Sequence, residues 1–173
     1  MFGLTPLGAV HTLISLLALG SALLALGRHQ AIAWRSRLGR WYVGSTVLTC
    51  LTGFGIFQHG GFGVPHALGV LTLLVLAASA AAEYAGWFGR AARYVATLGL
   101  SLTVFFHLIP GVTETFTRVP AGMPLFTGPD DPALQKLVGL LFLLFLLGAG
   151  WQVRRLRAGR GGTTPVAANG RVV

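Results

Sequence analysis

The chain has 173 residues, 54% of them hydrophobic and only 10% charged, with a mean hydropathy of +0.72. Soluble domains carry about 25% charged residues, so a soluble globular domain is excluded. The net charge of +9 does not point to nucleic acid either, because the basic residues are segregated between apolar runs and not gathered into one patch.

Five stretches are apolar for about 18 or more positions, long enough to cross a ~30 Å hydrocarbon core as helices. They lie near 5–26, 41–59, 64–85, 94–112 and 134–153. The expected fold is an all-α integral membrane protein with five transmembrane helices in a single domain over 1–157. Residues 158–173, "AGRGGTTPVAANGRVV", lack the apolar content to pack and are expected to form a disordered cytoplasmic tail.

From Met1 through the first run to Gly27 there is no lysine or arginine. A signal peptide would begin with basic residues, so this span is expected to be retained as an anchor. Loop 27–40 is short and basic and can form an interfacial helix. Trp34, Trp41 and Tyr42 then serve as headgroup-level anchors. Cys50, the single cysteine, excludes an intramolecular disulfide and reads as a small buried hydrophobe.

"GGFG" at 60–63 makes a tight turn, and Pro65 suits the first turn of span three. Spans two and three should therefore form an antiparallel hairpin. "AGWFGRAAR" turns the chain into span four, which is expected to stop at Pro110-Gly111. Loop 113–133 carries Pro120, Pro124, Pro129 and Pro132, which preclude a long helix. Span five, "LVGLLFLLFLLGAGW", has no polar side chain before Gln152 and is expected to pack outside a core of spans one to four, facing lipid. Gly139, Gly148, Ala149 and Gly150 are its close-approach points; Gly148 and Gly150 are expected in a helix–helix contact within the chain or with a partner.

Orientation follows from the arginines. Arg28, Arg35, Arg37 and Arg40 lie between spans one and two, Arg90 and Arg93 between three and four, and Arg154, Arg155, Arg157, Arg160 and Arg171 after span five. Only Arg118 and Lys136 fall on the other side. The positive-inside rule then places the N-terminus outside and the C-terminus in the cytoplasm of a bacterial inner membrane.

Four of the five histidines gain meaning from this topology. His11, His59, His66 and His107 each sit near the outer end of a different core span, within roughly 10 Å of one another along the membrane normal. Small residues at helical spacing share their faces: His11-Ser15-Ala18-Ala22, His59-Gly55-Thr52-Ser45, His66-Gly69-Leu73-Ala77 and His107-Thr103-Gly99-Ala96. A histidine at a helix end is ordinarily an interfacial side chain bonded to a carbonyl or water. Ionisable groups inside a membrane are functional by default, and imidazole is the commonest nitrogen ligand.

The expected function is a membrane redox or electron-transfer protein with one haem b between helices near the periplasmic face, serving a quinone or a larger respiratory complex. His11 with His66, or His59 with His107, are the candidate axial pairs, and Gly55, Gly69 and Gly99 leave room for the porphyrin plane. The alternative is a bare transition metal, Cu, Zn or Fe, on His11, His59, His66 and His107 with Glu114 at the rim. A further alternative is a non-catalytic accessory subunit of a membrane complex. No residue is singled out as catalytic, and His29, in the basic loop, supplies no second ligand layer. Lys136, the only lysine, lies at a helix boundary, which excludes a retinal protein, and no P-loop, HExxH or nucleophile elbow is present.

"SRLGRWYVGSTVLTCLTGFGIF", residues 36–57, resembles the start of the second span in an uncharacterised family of small histidine-containing bacterial multi-span membrane proteins. That family often has a histidine just before this motif, where this chain has Trp34 and Arg35, so no ligand carries over. The resemblance implies no known activity.

Overall fold

The computed structural model describes residues 5–57, 61–120 and 122–159. Within them the chain is helical and has no strand: α1 (Pro6–His29), α2 (Arg37–Gly53), α3 (Val64–Tyr84), α4 (Ala92–Phe116, entered through a single 3₁₀ turn) and α5 (Pro132–Ala158). Four candidate membrane spans are long and apolar enough to cross a bilayer: α1, α3, α4 with its lead-in, and α5. α2 has 17 residues, about 25 Å of helix at 1.5 Å per residue, and is not among them.

Local chemistry sets these ends. Thr5 caps α1 by accepting from the Gly8 N–H at 3.1 Å, with Pro6 at the first helical position. Ser36 does the same for α2 through the Gly39 N–H at 2.9 Å, so this helix starts four residues before the expected span near 41–59 and ends at Gly53, where Phe54 and Gly55 turn away. The expected interfacial helix in loop 27–40 is absent. α1 runs on to His29, and Gln30, at φ 59°, reverses the chain while its N–H closes on the Leu26 carbonyl. Pro65 does lie in the first turn of α3.

α4 departs from expectation at Pro110. The helix passes through it and ends only at Phe116. A proline removes one rung of the ladder, but the following rungs re-form, with Thr117 N–H bonded to the Thr113 carbonyl at 3.0 Å.

α1 and α2 pack as one hairpin and α3 and α4 as another; α2 also meets α3, and α1 touches α4 over a short stretch. Ala18, Ala22 and Ala25 bring α1 close, and Tyr42, Leu76, Leu100 and Val104 fill the centre. Tyr42, expected as an interfacial anchor, is fully buried. Its hydroxyl donates to Thr103 Oγ1 at 2.7 Å, which in turn donates to the Leu100 carbonyl at 2.8 Å. Trp34 is not an anchor either, since its indole N–H reaches Ser79 Oγ at 3.0 Å. Of the three aromatics only Trp41 is exposed.

α5 packs on α4, with Phe105 against Phe142 and Phe145. It buries only Leu134 and Gln152. Gln152 Oε1 accepts from Ser101 Oγ at 2.9 Å, and its Nε2 donates to the Gln30 carbonyl at 3.0 Å. Arg155 adds bonds to the His29 carbonyl and to Gln30 Oε1, while Arg35 pairs with Glu83 at 2.9 Å. These contacts gather the ends of all five helices into one arginine-rich pole. His11, His66 and His107 lie toward the other.

Candidate functional site

The register of the hairpins fixes the relative heights of the histidines. Ser79 of α3 lies against Ala96 and Gly99 of α4; counting up both helices puts His66 about one turn beyond His107. His11 sits against Thr52 and Gly53 of α2. Because Tyr42 meets Thr103, the same counting puts His11 about two turns beyond His107. His59 lies outside the described residues.

The three rings differ in which nitrogen is left free, and this decides what each can do. Thr52 has one hydroxyl proton, and its oxygen lies 2.8 Å from the Leu48 carbonyl and 3.1 Å from that of Thr49. It donates there, as threonine in a helix commonly does. Its lone pair therefore faces His11 Nδ1 at 3.0 Å, and that nitrogen carries the proton. His11 Nε2 is left with its lone pair.

His107 reaches the same state by another partner. Its Nδ1 is 3.2 Å from the Thr103 carbonyl, one turn back on α4. A carbonyl only accepts, so Nδ1 is the donor and Nε2 holds a lone pair. That Nε2 is buried and has no hydrogen-bond partner. A ring pinned at Nδ1–H with Nε2 free is the arrangement metal-ligating histidines use, because the bond fixes tautomer and orientation together.

His66 is the reverse. Its Nδ1 accepts from the Gly63 N–H at 3.2 Å, capping the start of α3, so in the neutral ring Nε2 bears the hydrogen. The ring is 7% exposed, stacks on Phe57 with centroids 5.1 Å apart, and lies 5.3 Å from Phe62. His66 Nε2 also lacks a partner, but it presents a donor and not a ligand.

The glycines expected to admit a porphyrin plane are occupied by neighbours. A Cβ on Gly69 would meet the Phe54 ring at 3.0 Å, on Gly55 the Leu7 side chain at 3.1 Å, and on Gly99 the Ser79 Cβ at 2.9 Å. Their absent side chains let other side chains of the bundle close in. The inward face of α3 also differs from the expected His66-Gly69-Leu73-Ala77: Ala77 is exposed, and Thr72, Leu76, Ser79 and Ala82 are buried instead.

Glu114, the candidate rim ligand, pairs with Arg118 at 2.6 Å in an exposed i,i+4 contact. Among the described residues no group of three or more His, Cys, Asp or Glu side chains could hold a metal ion. Among the described residues nothing lies within 4 Å of a Cβ at Gly148 or Gly150, so neither makes a helix contact there.

The orienting groups Thr52 and Thr103 were visible in the sequence only as small polar residues on the histidine faces. The four-residue step from Thr103 to His107 was the available signal. For His11 the partner sits on another helix, and no spacing announces it.

Comparison of the chain with protein-family models, with curated proteins and with solved structures gave no match.

Proposed function

We propose that this is a five-span membrane redox protein of the bacterial inner membrane, N-terminus outside, with one haem b between helices near the outer face. The observation that carries the reading is His107, a half-buried imidazole whose Nδ1 donates to a carbonyl and whose Nε2 is buried without a partner among the described residues. His11, in the same tautomer, is the second imidazole. Among the described histidines the pairing we favour is His11 with His107, because His66 Nδ1 is occupied by its own cap.

Two suitable nitrogens among the described residues fit a haem, which supplies its own four equatorial ligands, better than a bare Zn, Cu or Fe ion that needs three or four from the protein. When bound, the haem supplies one-electron chemistry. The protein's part is to hold both rings by their Nδ1 protons and, at His107, to keep Nε2 out of water. α2, although short, is read as the fifth span because it packs along α1 and α3 between the two poles, and the arginine-rich pole is read as cytoplasmic.

An absorption spectrum of the full chain purified after expression with haem supply tests this. A Soret band with a sharp α band is expected, lost in His107→Ala, lost or shifted in His11→Ala and unchanged in His66→Ala. No haem bands in the native chain, or loss confined to His66→Ala, would overturn the reading.

A second reading, an accessory subunit that docks other membrane proteins through α5, is favoured by one observation: that helix leaves Gly148 and Gly150 open. Leucine at both positions should then reduce the size of the complex extracted from native membranes.

A further inference from the structure

We propose that the groove between α1 and α2 at the arginine-rich pole binds one anionic phospholipid. This inference does not depend on the haem. It starts from a cleft of about 480 Å³ lined by Ile14 and Leu17 of α1 and by Arg37, Arg40, Trp41, Gly44 and Leu48 of α2, among others. The α2 residues lie on the helix's exposed face, opposite the one that buries Tyr42, Thr46 and Thr49.

Among the described residues the charges of this groove are unmet. The ion pairs among the described residues are Arg35–Glu83 and Arg118–Glu114, and Arg155 is held by Gln30. Arg37 and Arg40, one turn apart and exposed, enter none of these contacts. Two guanidinium forks at that spacing match the oxygens of a phosphodiester, to which arginine binds bidentately. Trp41, 59% exposed beside them, sits where an indole favours the headgroup region.

The rest of the groove is of the right length and apolar apart from Ser45, whose hydroxyl donates to the Trp41 carbonyl. From Arg37 to Leu48 the helix rises about 16 Å, close to half of a ~30 Å hydrocarbon core and hence the depth of one acyl chain in one leaflet. Gly44 is at the middle of that path, and a Cβ there would meet nothing within 4 Å, so the missing side chain leaves a notch open to lipid. A quinone has a comparable tail but no anionic group and would leave both arginines unanswered. A free phosphate would answer the arginines and leave the apolar wall bare. Basic pockets between helices at the cytoplasmic side are a recurrent means of holding anionic headgroups.

The test is retention of lipid by the full chain in detergent, read by native mass spectrometry with phosphatidylglycerol and phosphatidylcholine supplied in equal amounts. One phosphatidylglycerol should remain bound, with a preference of roughly thirtyfold, two arginines each adding the usual contribution of a basic residue near an anionic surface. Arg37→Ala/Arg40→Ala should abolish the preference. Gly44→Leu should empty the groove while leaving every charge in place, and Arg154→Ala/Arg157→Ala, which removes the same charge elsewhere on this pole, should leave retention intact. Helix content by circular dichroism checks that each variant is folded. Retention unaffected by Gly44→Leu, equal loss in both arginine pairs, or displacement of the lipid by millimolar inorganic phosphate alone would each overturn the proposal.

Discussion

Ser79 closes over Gly99. A Cβ added at Gly99 would come within 2.9 Å of Ser79 Cβ, and Ser79 cannot retreat, because its hydroxyl donates to the Ala96 carbonyl at 2.8 Å and accepts from Trp34 at 3.0 Å. Gly99→Val should therefore force α3 and α4 apart, and overpacking of this kind costs about 1–3 kcal/mol. Gly20→Ala, where a Cβ meets nothing within 4 Å, should leave stability unchanged or slightly raised. Thermal unfolding of both variants in detergent separates the two outcomes.

His66 should behave as a cap. Its ring nitrogen satisfies the Gly63 N–H at the start of α3, and losing a cap costs about 1 kcal/mol. His66→Ala should lower the unfolding temperature by a few degrees with the visible spectrum unchanged. A variant with native stability would show that the cap contributes nothing.

Gln152 offers a different expectation. It is 5% exposed and ties α5 both to Ser101 of α4 and to the Gln30 carbonyl between α1 and α2. Gln152→Leu keeps the volume but leaves a buried hydroxyl and a carbonyl without a partner, at about 1–3 kcal/mol. Faster hydrogen exchange should appear at the C-terminal turns of α5. Exchange unchanged there would mean that Arg155 and Phe105 suffice to hold the helix.

Acid should loosen the other end of α5. Hydrogen bonds from the Thr127 and Ala133 N–H groups hold the Asp131 carboxyl below the usual carboxylate range. A carboxyl lowered on folding adds stability that is complete above its ordinary range and disappears as pH falls through the lowered value. The Ala133 amide resonance should titrate with a midpoint below the ordinary value of about 3.9. Asp131→Asn should keep the cap at neutral pH and abolish that titration.

Much of this was legible in the sequence. The apolar runs gave α1, α3, α4 and α5, and the inward faces on α1 and α4 follow from small residues at helical spacing, as at Ala18, Ala22 and Ala96, whereas on α2 only Ser45 of the expected face is buried and Gly55 is exposed. Harder to read were choices made by polar atoms. Tyr42 resembles an interfacial anchor until Thr103, on a helix far along the chain, is known to receive its hydroxyl. Pro110 looks like a stop because a residue-level rule does not include the rungs that re-form beyond it. The histidines could be placed by depth and face, but their roles depend on which nitrogen is engaged. That is a property of neighbours such as Thr52 and Gly63, not of spacing.

The way α5 is attached has one more consequence. It is capped by Asp131 at one end and clasped by Gln152 and Arg155 at the other, while most of its length leans on α4 through three phenylalanines. Its polar bonds to the other helices all involve its own side chains. A gene divided between Gly122 and Gly128 should therefore yield two polypeptides that find each other in the bilayer, a docking module and its receptor made from one chain. Co-purification of a tagged α5 fragment with residues 1–122, abolished by Gln152→Leu with Arg155→Ala, would reveal the fifth helix as a separable part.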